Sequence, residues 1–210
     1  MNGGSGIKAV IFDLGNVLID FDYGRAAARI FKFTRKTPEE LLRFFFESDI
    51  PPLFEAGGIS PQDFFLKVKE EIGLDLGFED FVPIWNEIFF LSEKNDRVNE
   101  IARNLKGRYK LAFLSNINIL HLDYIRSKFA SIVSEFDYPL SSCELGFIKP
   151  QEEIYKKALA VLGVSAGEAF YTDDRRELVE GARRLGIKGF VFNGPEQLKE
   201  DLAGSGATFT

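Results

Sequence analysis

Four short apolar runs, each ending at a polar or acidic residue, set the tightest limit on how this chain can fold. Ala9-Val10-Ile11-Phe12 stops at Asp13, and Leu111-Ala112-Phe113-Leu114 stops at Ser115-Asn116. Ala169-Phe170-Tyr171-Thr172 stops at Asp173-Asp174, and Phe190-Val191-Phe192 stops at Asn193. An unbroken apolar run of this length reads as a strand covered on both faces, the pattern of a parallel sheet; a half-exposed strand would alternate. Helical spacing fills the intervals: Val98, Ile101, Ala102 and Leu105, then Ile154, Ala158, Val161 and Leu162, then Leu178, Ala182 and Leu185. Strands alternating with helices predict an α/β fold built on a doubly wound, Rossmann-like parallel sheet. Ligands of such sheets bind beyond the carboxyl ends of the strands, so Asp13, Ser115, Asn116, Asp173 and Asp174 are expected around one crevice.

Roughly ninety residues separate the first two runs, where a parallel crossover needs about a dozen or somewhat more. The surplus is helical by its spacing: Leu41, Leu42, Phe45 and Phe46, then Phe64, Phe65, Val68 and Ile72, then Phe81, Ile84, Trp85, Ile88 and Phe89. Ser60-Pro61 supplies a helix start, with serine as cap and proline in the first helical position. We therefore expect a helical cap domain over residues 22–92, inserted into an α/β core formed by residues 1–21 and 93–210. Its hinges are expected near 20–23 and 91–94, and its aromatics suit a small core of their own better than a ligand pocket.

Composition removes several classes of function. A net charge of −6 with scattered lysine and arginine lacks the basic footprint of a nucleic-acid binder. No apolar run is long enough to span a membrane, and MNGGSGIKAV lacks the pattern of a secretory signal, so Met1 to Gly6 reads as a tail. Cys143 is the only cysteine, which fits a reducing compartment and a cytoplasmic protein. His121 is the only histidine, so histidine-based triads and metal sites are not expected, and its plain reading is a polar helix residue. Chemistry is left to carboxylates, lysine and backbone.

In this order Ile11-Phe12-Asp13-Leu14-Gly15-Asn16-Val17-Leu18, Leu114-Ser115-Asn116, Lys149-Pro150 and Tyr171-Thr172-Asp173-Asp174 resemble the four motifs of the haloacid dehalogenase superfamily, across nearly the whole chain. The insert resembles that superfamily's helical cap, and Phe54-Glu55-Ala56-Gly57-Gly58-Ile59-Ser60 resembles a segment in caps of its phosphatase-like members. The first motif also resembles that of a bacterial sugar-phosphatase-like subgroup. The resemblance implies a hydrolase: a phosphatase acting on a small phosphorylated metabolite such as a sugar phosphate, through an aspartyl-phosphate at Asp13. It implies Mg2+ held by Asp13, the backbone carbonyl of Gly15 and Asp174. Lys149 would neutralise aspartate and phosphate together, Ser115 and Asn116 would hold phosphoryl oxygens, and Asp173 would orient Lys149 or a metal-bound water. These residue types suit the chemistry, because attack on phosphorus needs a nucleophile, charge neutralisation, hard oxygen ligands and donors for the phosphoryl oxygens.

Two positions depart from the pattern. The superfamily's phosphatases carry an aspartate two residues after the nucleophile, where this chain has Gly15, so the usual general acid/base is missing. Good leaving groups are then expected to be favoured, unless Asp20, Asp22 or Glu177 supplies the proton. Leu178 stands where an acidic or amide residue follows the last motif; Glu177, one position earlier, is the expected substitute in supporting the metal. Ser115-Asn116 also resembles the second motif of the metal-free 2-haloacid dehalogenases, and a noncatalytic phosphate-binding protein of the same fold is a further alternative.

Overall fold

The structure, a computed structural model, describes residues 6–208; all but Gly6 of the expected tail lies outside the described residues. In chain order it comprises β1 (Ala9–Phe12), β2 (Asp20–Phe21), α1 (Tyr23–Ile30), α2 (Pro38–Glu47), α3 (Ile50–Glu55), α4 (Pro61–Ile72), α5 (Phe78–Asn86) and β3 (Phe89–Phe90). There follow α6 (Glu93–Leu105), β4 (Lys110–Ser115), α7 (Ile119–Lys128), α8 (Ala130–Val133), β5 (Tyr138–Ser141), α9 (Ser142–Leu145), α10 (Glu152–Leu162), β6 (Ala169–Asp173), α11 (Arg176–Arg184), β7 (Lys188–Val191) and α12 (Pro195–Gly204).

The main sheet is five-stranded in the order β5-β4-β1-β6-β7, and each pairing is parallel. Every residue of β1 is buried, because successive side chains enter two cores on opposite faces. Val10, Phe12, Phe113 and Phe170 pack against Val98, Ile101 and Leu105 of α6 and Leu198 and Leu202 of α12. Ile11, Leu114 and Tyr171 pack on the other face against Ile154, Ala158 and Leu162 of α10 and Val179 and Ala182 of α11. The chain leaves β1 toward β4 on one side and reaches β6 on the other, so the sheet's switch point lies beyond Phe12.

The core departs from the sequence pattern at one helix position and one strand. Val161 is half exposed, since it lies at the edge of the apolar stripe of α10. β5 escapes the sequence pattern because Tyr138-Pro139-Leu140-Ser141 contains a proline; the strand forms at the sheet edge, where a missing backbone donor is tolerated.

The helices α1 to α5 lie between β2 and β3, a two-residue antiparallel pair of Asp20 with Phe90 and Phe21 with Phe89. Their buried faces meet in a separate cluster that includes Phe45, Phe54, Phe64, Phe81 and Trp85. As the spacing predicts, Ser60 caps α4 by accepting from the Asp63 amide, and Pro61 opens the helix. Phe46, expected on the buried face of α2, is 67% exposed.

Candidate active site

The switch point brings four motif side chains together. Asp13 follows β1, Asp173 ends β6, Asp174 comes next, and Lys149 arrives from the loop between α9 and α10. Lys149 Nζ donates to Asp13 Oδ1 at 2.7 Å and to Asp173 Oδ2 at 2.7 Å, with its own side chain 1% exposed. Burial alone would lower the lysine's pKa, but the charges and hydrogen bonds of Asp13 and Asp173 overcome it and hold the ammonium firmly protonated. Burial, then Asp173, pushes the Asp13 carboxyl above the usual carboxylate range against the pull of Lys149. Asp173 takes two further hydrogen bonds: Oδ2 also accepts from the Tyr171 hydroxyl, and Oδ1 accepts from the Arg175 amide at 2.9 Å. Three hydrogen bonds thus fix the orientation of the Asp173 carboxylate that Lys149 meets.

The donor set fits a hard divalent cation. One oxygen from each of Asp13, Asp173 and Asp174 lies within 4.8 Å of the others. Three carboxylates with one ammonium leave the buried cluster negative, and burial together with Asp173 raises the pKa of Asp174 despite a hydrogen bond from Asn16. The turn after Asp13 is closed by the amides of Asn16 and Ile19 on the carbonyls of Ile19 and Leu14, which leaves the Gly15 carbonyl outside the turn's own bonds.

Ser115 and Asn116 line the same cavity, of about 350 Å³, as Asp13, Gly15, Lys149 and Asp174. The Asn116 side chain grips the backbone of Lys149, donating to its carbonyl at 3.0 Å and accepting from its amide at 2.7 Å. The second-motif asparagine thus positions the lysine through its side chain, whatever its amide does for a ligand. Glu177 does not join the group: its side chain is 56% exposed, lies outside the cavity lining and pairs with Arg175. It lies in the first turn of α11, where successive positions face different directions, and of that helix only Leu178 reaches the cavity.

His121 is on a helix, α7, but it is buried rather than solvated. Its Nε2 lies 3.0 Å from the Trp85 carbonyl and its Nδ1 lies 3.0 Å from Asn118 Nδ2, with the Trp85 ring stacked at 4.9 Å. Burial pushes its pKa down to about 3, so it is a neutral strut between insert and core.

A family profile described as haloacid dehalogenase-like hydrolase matches residues 7–186. The chain belongs to that family. A D-ribitol-5-phosphate phosphatase of Bacteroides thetaiotaomicron is 25% identical to it over 189 residues, 88% of this chain and 91% of the relative. A phosphatase of Mycobacterium tuberculosis is 27% identical over 210 residues, 96% of either chain. Among solved structures, a haloacid dehalogenase family enzyme of B. thetaiotaomicron in complex with magnesium and inorganic phosphate superimposes with a TM-score of 0.76 at 25% identity, covering 89% of this chain and 94% of that one.

In this haloacid dehalogenase-like hydrolase, the apolar pattern gives no site role to three residues that stand at the site. Asn16 donates from Nδ2 to Asp174 Oδ2 at 3.0 Å, a contact with that carboxylate that Glu177 does not make. Its signal was available, as an amide within the first motif. Tyr171, read only as part of a strand, binds Asp173. Glu55 of α3 reaches the cavity wall from the insert, and no periodicity could show that, because it depends on how insert and core meet.

Proposed function

We propose that the protein is a magnesium-dependent phosphatase that hydrolyses a small phosphate monoester through an aspartyl-phosphate on Asp13. The observation that supports this best is Lys149 fixed between Asp13 and Asp173, beside a carboxylate cluster that needs a cation. Asp13, Gly15 and Asp174 would hold a magnesium ion, whose charge would neutralise the carboxylates and an incoming phosphate together. Lys149 screens the nucleophile from the phosphate dianion, Ser115 and Asn116 face the phosphoryl oxygens, and Asp173 keeps the ammonium in place. Residues 22–92 would act as a cap over the crevice, with residues 1–21 and 93–210 as the catalytic core.

The relative that acts on D-ribitol-5-phosphate supports a phosphorylated sugar or polyol as substrate. Among the described residues no helix is long and apolar enough to cross a membrane, and the free Cys143 suits the cytoplasm. Against a dehalogenase stands the same cluster: a metal-free halide displacement has no use for Asp174 beside Asp13. A noncatalytic phosphate binder would have no need of an aspartate held ready by a buried lysine.

The test is a screen of phosphorylated metabolites with and without magnesium. Phosphate release should require the ion and disappear in Asp13→Asn with folding intact, and rapid quenching should leave phosphate on Asp13. Turnover that survives chelation, or a label elsewhere, sinks the reading.

A further inference from the structure

We propose that Glu55, carried over the crevice by the insert, is the proton donor and acceptor of this reaction, in place of the carboxylate missing at Gly15; the proposal rests on the phosphatase reading above. A side chain at position 15 would require the Phe21 ring to shift, since a Cβ there would lie 2.8 Å from Phe21 Cε1. The nearby acids suggested by sequence are engaged. Asp20 accepts from Lys94 at 2.6 Å, Ser92 at 2.7 Å and Asn95 at 3.1 Å, which hold it ionised despite its partial burial. Asp22 caps α1 through the Gly24 amide at 2.7 Å, and Glu177 is paired with Arg175 outside the cavity.

Among the titratable residues that line the cavity, Asp13, Asp174 and Lys149 belong to the charged cluster, Arg175 pairs with Glu177 and keeps its proton, and His121 has both ring nitrogens occupied. Burial, with the charge of Glu55 added to it, keeps the Tyr23 hydroxyl protonated. Glu55 remains, with a carboxyl that takes no hydrogen bond or ion pair among the described residues. The groups that face it are Tyr23 from α1, Arg175 and Lys149. Burial pushes its pKa up to about 7 against the opposing charges of Arg175 and Lys149, so both protonation states are available near neutrality.

Its backbone is anchored to the core. The buried Ser142 hydroxyl accepts from the Ile117 amide at 2.9 Å and donates to the Glu55 carbonyl at 2.5 Å. Two residues on, Gly57 has φ +71°, and a Cβ there would lie 2.5 Å from the Cys143 carbonyl oxygen, so only glycine permits this approach. Ser142 thus ties Glu55 to the loop that follows Ser115 and Asn116.

In the first step Asp13 attacks phosphorus, the bond to the leaving oxygen breaks, and Glu55 gives that oxygen its proton, which releases an alcohol. In the second step the Glu55 carboxylate takes a proton from water as the water attacks the aspartyl-phosphate, which returns Asp13 and yields inorganic phosphate. On this proposal the rate would depend only shallowly on leaving-group basicity, in place of the steep dependence expected from Gly15 alone.

The experiment measures kcat/KM for aryl and alkyl phosphates of graded leaving-group basicity in wild type, Glu55→Gln and Glu55→Asp. Wild type should show a shallow dependence. Glu55→Gln should show a steep one, losing about a hundredfold to ten-thousandfold on alkyl phosphates and far less on dinitrophenyl phosphate. With dinitrophenyl phosphate it should also give a burst of phenol equal to the enzyme, with phosphate retained on Asp13. Glu55→Asp, which keeps the charge, should fall between. Equal losses on every substrate, or no burst, would overturn the role of Glu55 while leaving the phosphatase reading standing. Failure of wild type to release phosphate from any of the series with magnesium would overturn both.

Discussion

Asn16 and Asp174, 158 positions apart in the chain, are joined by a 3.0 Å hydrogen bond from the asparagine amide to Oδ2 of the aspartate. Asn16 holds a left-handed backbone, φ 56°, which asparagine accepts more readily than most residues. The bond fixes the orientation of one carboxylate of the cluster. Asn16→Gly removes it without adding backbone strain, and the magnesium concentration for half-maximal activity should then rise by about tenfold to a hundredfold with the fold intact. A magnesium titration of phosphate release checks this; an unchanged midpoint would mean that Asp174 needs no support.

Lys149 is the counter-charge of two buried carboxylates. Lys149→Met should abolish turnover and, in chelator, cost about 3–5 kcal/mol of stability, because it strands Asp13 and Asp173 without a cation. Added magnesium should recover part of that stability. Urea unfolding in chelator and in magnesium reads both effects, and a variant as stable as wild type in chelator would show that the cluster relaxes without the lysine.

His121 makes stability depend on pH. Its folded pKa of about 3 lies below the ordinary value, so below the ordinary histidine range the unfolded chain binds the extra proton and the folded one does not. The contribution is therefore present at neutral pH and is lost as pH falls toward 3. From pH 7 to pH 5 the loss should be about 2 kcal/mol. His121→Gln should show that much less pH dependence over the interval in urea unfolding, and identical slopes in the two proteins would refute it.

Phe21 closes the space beside Gly15. Gly15→Asp alone should destabilise by about 1–3 kcal/mol through forced displacement of the ring and should lower activity. Gly15→Asp combined with Phe21→Ala should regain part of the lost kcat/KM. If Gly15→Asp alone is as stable and as active as wild type, Phe21 moves freely and the space is not limiting.

Much of this was legible in the chain because it follows from local chemistry. Ala9–Phe12 forms the central strand as an unbroken apolar run must, and each run that ends in a carboxylate or hydroxyl delivers it to the same edge of the sheet, since parallel strands share one direction. The apolar spacing in α6 and α11, and in α10 apart from Val161, matches the helix faces that turn inward. β5 was hidden by Pro139, whose cost disappears at a sheet edge, and edge position is a property of the whole sheet.

The sequence by itself determined the parallel α/β core, the inserted helices and the family motifs that name Asp13, Ser115, Asn116, Lys149, Asp173 and Asp174, because backbone periodicity and short motifs are written in neighbouring residues. Tertiary structure alone decided that Asn16 rather than Glu177 supports Asp174, that Asn116 grips the backbone of Lys149, that His121 is a buried strut, and that Glu55 stands in the cavity wall. Those outcomes depend on which surfaces meet when insert and core pack, and burial and the charges of distant neighbours then set what each side chain can do.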